Sequence, residues 1–261
     1  MSRSKAIVTV VVALTLVTLM LAEPPGQPVK DPLGRPSTFF TDDTGARAIL
    51  LVLRKVLGPD AAQQHRAPLD SLGGDGPDTL IVAGPSRPLE PTDEEALDQW
   101  LDGGGQLILA TQDGWPLSET EDSYLESYGV SQKAVTLSQF SQTLQPDGPS
   151  LWLRHAATWE GECEVLFRSQ EQVVAIEIPV GEGRIVALAD PWILSNDSLK
   201  LGDNGLWIVR LVEEWGDGRA LFDEFHHGFG ERATLFAVMG RFLASPWGWP
   251  VGQLALAGLL Y

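Results

Sequence analysis

Cysteine is almost absent, since Cys163 is the only one in 261 residues. Neither an internal disulfide nor a cysteine-rich zinc site can form. Cys163 also stands between Glu162 and Glu164, whose carboxylates would raise the thiol pKa, the wrong direction for a nucleophile. Positive charge is the second shortage. Lys and Arg total 18 against 35 Asp and Glu, a formal net charge of -17. That balance argues against a nucleic-acid backbone or an anionic lipid surface as the main partner. Catalytic fingerprints are missing too: no Gly-x-Ser-x-Gly and no His-Glu-x-x-His occurs. Gly84-Pro85-Ser86-Arg87 could cradle an anion but lacks the Gly-rich-then-Lys pattern of a phosphate loop. Gly181 and Gly183 suit a hairpin turn, not a dinucleotide site.

The chain is long enough for one sizeable core. Residues 6–22 form an uncharged run of roughly 17 residues behind Arg3 and Lys5, near the lower limit for spanning a bilayer. They predict an N-terminal transmembrane anchor over 1–22, with the chain beyond it exported. A cleaved signal peptide competes with that reading, but Leu19-Met20-Leu21-Ala22 offers no clean small-x-small site. Residues 23–36 carry five prolines and read as an extended linker. Residues 37–232 form the predicted α/β domain. Residues 233–261 read as a juxtamembrane helix, with Trp247 and Trp249 leading into a second transmembrane segment.

Inside the domain, helical and strand patterns alternate. Residues 44–57 repeat apolar side chains at helical spacing and stop at Gly58-Pro59. Residues 79–83 and 106–111 are continuous apolar runs suited to strands buried on both faces. Between them 92–101 predicts a helix with a capping box from Thr92 to Glu95. The two strands should then be parallel neighbours. Residues 118–148 read as a polar insertion. Residues 165–167, 173–178 and 184–189 predict strands, the last two as a hairpin, followed by a helix over 203–215 and a strand over 220–225. The fold class expected is α/β, a doubly wound, mainly parallel, flavodoxin-like sheet with an antiparallel excursion and flanking transmembrane segments.

In open parallel sheets ligands bind beyond the carboxyl ends of the strands. The polar residues there are Asp190 with Asn196, Asp203-Asn204, and Asp223-Glu224-Phe225-His226-His227-Gly228. On a strand Asp223 and His227 share a face; on a helix they meet as an i, i+4 pair. Either geometry suits an oriented base or a metal site, and equally a structural Asp–His bond closing a strand end. Asp190, Asn196 and Asp203 have the same double reading, as helix and turn caps or as ligand contacts. His155, between Trp152 and Trp159, reads as a packed or exposed residue, not a ligand.

Several segments together resemble a bacterial family, the domain of unknown function numbered 4350. They are Thr44-Gly45-Ala46-Arg47-Ala48, Val82-Ala83-Gly84-Pro85, Trp100-Leu101-Asp102-Gly103-Gly104-Gly105, Ala189-Asp190-Pro191 with Asn196, Asp203-Asn204, and Phe222 to Gly228. The resemblance implies a glutamine amidotransferase-like fold with a membrane segment on each side. It also implies association with MoxR-type AAA ATPases and von Willebrand A-like membrane proteins. The amidotransferase chemistry does not carry over, because the strand ending at Ala110 runs into Thr111-Gln112-Asp113-Gly114 without the cysteine that chemistry needs.

These observations predict a membrane-anchored, extracytoplasmic, non-catalytic binding domain that uses Asp190, Asn196, Asp203, Asn204, Glu224 and His227. The alternative is a metal-dependent hydrolase drawing ligands from Asp190, Asp203, Asp223, His226 and His227. No cofactor is indicated by any motif.

Overall fold

The computed structural model describes residues 34–72, 78–111, 121–134, 141–142, 148–154, 157–169 and 171–230. Its centre is a seven-stranded sheet assembled from the segments richest in Leu, Ile, Val and Ala. Strands β1 (Ala62–His65), β2 (Thr79–Ala83) and β3 (Gln106–Ala110) belong to it. So do β8 (Glu164–Ser169), β9 (Gln172–Val180), β10 (Gly183–Leu188) and β11 (Ala220–Asp223). The order is β1-β11-β2-β3-β10-β9-β8. Every residue of β2 and β3 is buried, which is why both read as unbroken apolar runs instead of alternating ones. They pair in parallel, Leu80 opposite Leu107 and Val82 opposite Leu109.

The sheet is mixed, and this corrects the expected doubly wound, mainly parallel architecture. β1, β11, β2, β3 and β10 run in parallel, but β9 pairs antiparallel with β10, and β8 antiparallel with β9. The reason is local: a two-residue turn cannot make a parallel crossover. Gly181 and Glu182 therefore fold β10 directly back on β9, with Gly181 at φ +56°. Gly183 is required next to that turn. A Cβ there would meet the Gly105 oxygen at 2.2 Å and the Leu101 oxygen at 2.4 Å. Two short antiparallel pairs lie outside the main sheet, β4 (Val130–Ala134) with β7 (Ala157–Gly161) and β5 (Ser141–Gln142) with β6 (Trp152–Leu153).

Helices are few. α1 (Arg47–Val56) buries Ile49, Leu50 and Leu53. α2 (Pro91–Asp102) buries Leu97 and Leu101. α3 is Glu121–Glu126, inside the predicted insertion. α4 (Asn204–Glu213) buries Trp207, Ile208, Val209, Leu211 and Val212. Leu206 is 50% exposed. The capping box of α2 sits two residues earlier than predicted. Pro91 takes the first helical position, where its missing N–H costs nothing, so Glu90 and Asp93 form the box. Asp203 does occupy the N-cap position of α4 but makes no capping bond there.

Among the described residues no helix is long and apolar enough to cross a membrane. The described residues therefore lend no support to the flanking transmembrane segments of the expected fold or to the membrane localisation drawn from them. Residues 6–22 and 233–261, on which those segments were placed, lie outside the described residues.

Candidate functional site

The five parallel strands end at His65, Ala83, Ala110, Leu188 and Asp223, so their carboxyl termini share one edge of the sheet. The polar residues predicted at that edge separate into two groups.

The first group is structural. Asp190 is fully buried, and its carboxylate accepts from Trp192 N at 2.9 Å and Arg154 N at 2.7 Å. Asn196 accepts from Ala48 N at 2.7 Å and donates to the Asp42 and Phe40 carbonyls at 2.6 and 3.3 Å. It thereby ties the first turn of α1 to the loop before it. Asp203 accepts from Ser150 N at 2.9 Å. Asn204, also fully buried, accepts from Trp152 N at 2.8 Å and donates to the Trp152 and Ser198 carbonyls at 2.9 and 3.2 Å. Each of these side chains satisfies main-chain groups that a buried loop would otherwise leave unpaired.

The second group follows β11. The strand stops at Asp223 and the chain turns through Phe225 to Gly228. Asp223 therefore meets His226 at i, i+3, in place of the expected Asp223–His227 pair. Asp223 Oδ1 accepts from the backbone N–H groups of Phe225 and His226, at 3.0 and 3.3 Å. Its Oδ2 lies 2.6 Å from His226 Nδ1, and His226 Nε2 lies 3.3 Å from Asp93 Oδ2. Asp93 in turn accepts from Leu69 N and Glu90 N. Burial opposes protonation of the imidazole, but the Asp223 hydrogen bond and the two carboxylates outweigh it and raise the His226 pKa. Both ring nitrogens are thus engaged. Among the described residues no group of three or more His, Cys, Asp or Glu side chains is arranged to hold a metal ion.

Glu224 faces a different neighbourhood. Ser37 Oγ donates to Oε2 at 2.5 Å and Thr38 N donates to Oε1 at 2.7 Å; Thr38 Oγ1 also donates to Oε1. Gln64 Nε2 donates to that same Thr38 hydroxyl at 2.7 Å. Burial drives the Glu224 carboxyl up to about 7, against the lowering effect of the Ser37 and Thr38 donors. His227, 2% exposed, is shifted the other way, to about 4, again by burial. Its ring bonds the Ala83 backbone, while Nδ1 has no hydrogen-bond partner. Ser86 Oγ, in the loop after β2, is likewise buried without a partner, although Ser86 N donates to the His226 carbonyl at 2.9 Å. Cys163 takes no part, and burial pushes its thiol up against the lowering effect of Arg168.

These shifts predict a pH signature. Between 4.5 and about 7 the folded state holds the Glu224 proton that the unfolded chain has lost, so Glu224 makes stability fall as pH rises. Between about 4 and 6.5 the unfolded chain holds an extra proton on His227, so His227 makes stability rise with pH. The two slopes oppose each other. Glu224→Gln removes the first, so urea denaturation should show variant stability minus parent stability increasing by roughly 2–3 kcal/mol from pH 4.5 to 7. A pH-independent difference would contradict the assignment.

Ser37, Thr38 and Asp93 were not singled out by sequence. Ser37 and Thr38 follow the proline-rich stretch and carry no periodicity. Asp93 was concealed by the misplaced capping box. Ser86 had a usable signal, a Gly-Pro-Ser-Arg loop directly after a buried strand. His155 and Gln112 to Trp115 lie outside the described residues.

No curated protein matches the chain by sequence. Among solved structures it is similar to a cytoplasmic protein from Salmonella typhimurium LT2, with TM-score 0.45 and 12% identity, covering 64% of this chain and 82% of that one. It is also similar to the mmIFT52 N-terminal domain, with TM-score 0.43 and 15% identity, covering 52% and 76%. A third likeness is to an exo-beta-1,4-mannosidase from Opitutaceae bacterium strain TAV5, with TM-score 0.37 and 15% identity, covering 54% of this chain but 25% of the mannosidase. The model of one family, Domain of unknown function (DUF4350), matches residues 38–212. That span takes in ten of the eleven strands among the described residues and nearly all of their core, and the chain belongs to this family.

Proposed function

We propose that this domain is a non-catalytic binding module whose ligand contacts lie at the carboxyl ends of β1, β11 and β2, around Glu224 and His227. The observation that carries this reading is the pair of buried, unpartnered polar atoms, Ser86 Oγ and His227 Nδ1, on the loops after β2 and β11. Buried polar groups are ordinarily hydrogen-bonded, and each exception calls for an explanation. A ligand that supplies the missing partners is one. Asp190, Asn196, Asp203 and Asn204 leave the ligand set, because their polar atoms already serve the main chain. The assembly with MoxR-type AAA ATPases and von Willebrand A-like proteins is part of the same proposal and rests on the family resemblance alone.

Amide and imidazole resonances of the full chain, titrated with a panel of neutral, cationic and anionic small molecules, test the reading. Saturable shifts confined to residues 84–87 and 224–228 are expected for at least one member, and lost in His227→Gln. Shifts scattered elsewhere, or unchanged in that variant, would place the ligand contacts outside this edge.

A further inference from the structure

His227 lacks a partner at one ring nitrogen, and the other nitrogen fixes what that partner must be. The ring bonds the Ala83 backbone in a way that favours its protonated form, so a ring N–H donates to the Ala83 carbonyl. Nδ1 has no partner, which makes Nε2 the donor. Burial lowers the His227 pKa to about 4, so the imidazole is neutral at physiological pH. A neutral imidazole carries one proton, here on Nε2, and Nδ1 is left with a lone pair that can only accept. The group missing at His227 is therefore a hydrogen-bond donor. Ser86 Oγ is less selective, since a hydroxyl both donates and accepts. The two loops meet at the peptide between His226 and His227, where Ser86 N donates to the His226 carbonyl at 2.9 Å. Arg87 and Pro88 follow and are exposed, so the unpartnered atoms lie just beneath the surface. Thr111 Oγ1, one residue past β3 on the same edge, is another buried hydroxyl without a partner.

We propose that this edge binds an uncharged polyol through a hydroxyl group, whose O–H donates to His227 Nδ1 and whose oxygen accepts from Ser86 Oγ. One hydroxyl satisfies both atoms, because it is donor and acceptor together. A carboxylate offers only lone pairs and would face the lone pair of Nδ1. An ammonium group can donate to Nδ1 but accepts nothing from Ser86, and taking its charge beneath the surface carries the desolvation cost of an ion. Every unmet atom on these loops is itself uncharged, so none of them offsets that cost. Thr111 Oγ1 suits a second hydroxyl of the same molecule, which favours a polyol over a simple alcohol. This inference rests on the binding reading above and adds the chemical class to it.

Nitrogen resonances of isotopically labelled histidine in the full chain, titrated with glycerol, glucose, acetamide, methylammonium and acetate, are the test. In the free protein His227 Nε2 should resonate as a protonated ring nitrogen and Nδ1 as an unprotonated one. Glycerol or glucose should move Nδ1 saturably in the direction of hydrogen bonding and leave the tautomer unchanged. Ser86→Ala should weaken that binding roughly five- to tenfold, the factor for one lost hydrogen bond. The same variant should leave Tm no lower, because this hydroxyl has no partner in the unbound protein. A proton on Nδ1 in the free protein, no response to either polyol, or equal affinity in parent and Ser86→Ala overturns the proposal. If both polyols fail while acetamide, methylammonium or acetate shifts residues 84–87 and 224–228, the hydroxyl assignment fails and the binding reading stands. If no probe shifts them, both fail.

Discussion

His226→Ala is expected to destabilise the folded domain by about 3–5 kcal/mol, the range for breaking a buried charge pair from one side. His226 is 1% exposed and joins two carboxylates that are themselves buried, Asp223 at 2% and Asp93 at 3% exposure. Removing the ring leaves both Oδ2 atoms without the partner they now share. Asp93 would still receive the Leu69 and Glu90 N–H groups, and Asp223 would still cap the turn at Phe225. The loss is therefore that of the histidine bridge and not of the whole corner. Denaturant midpoints at constant m-value measure it. The raised His226 pKa supplies a second readout. A group held protonated by the fold adds stability that is fully present below pH 6.5 and lost as pH rises through its folded value. The gap between parent and variant should accordingly narrow above that value. A variant within 1 kcal/mol of the parent throughout, a bound set by typical surface substitutions, would show that the Asp–His–Asp chain does not hold the corner together.

Asn204→Ala should cost nearly as much, about 3–4 kcal/mol, with ligand binding at the other sites unchanged. One side chain there satisfies three main-chain groups, Trp152 N, Trp152 O and Ser198 O. Truncating this fully buried side chain leaves them without it, and each unmade bond costs about 1–3 kcal/mol, less than additively. The amide is the only type that fits, because both donor and acceptor are used at once. Asn204→Asp, of the same shape, would put a carboxylate against two carbonyl oxygens and should be no better tolerated. Urea unfolding decides the matter. A stable Asn204→Ala variant that loses ligand binding would return this residue to the ligand set.

The comparison of sequence and fold turns on which interactions are local. β2 and β3 were legible as buried parallel neighbours because burial on both faces leaves an unbroken apolar run. The β9–β10 hairpin was legible because Gly181 and Gly183 bracket its turn. The family was legible because its motifs keep their order along the chain. How the antiparallel excursion attaches was not legible, since a hairpin signal does not reveal whether it joins the main sheet or stands apart. At the candidate site the types of residue were visible, but their partners were not. Asp223 was expected against His227 and is bonded to His226, because the strand stops at Asp223 and alternation does not continue to His227.

Short-range physics thus sufficed for the acidic balance, the lack of a cysteine nucleophile, the central strands and the polar character of their ends. Only the tertiary structure decided which polar residues were already spent. Asp190, Asn196 and Asn204 bond main-chain groups 36 or more positions away, and Glu224 is held by Ser37 and Thr38 across more than 180 residues. A carboxylate or amide reads the same in sequence whether its hydrogen bonds go to the protein's own backbone or remain for a ligand. The difference is set by what long-range packing brings within 3 Å of it, and no local pattern records that.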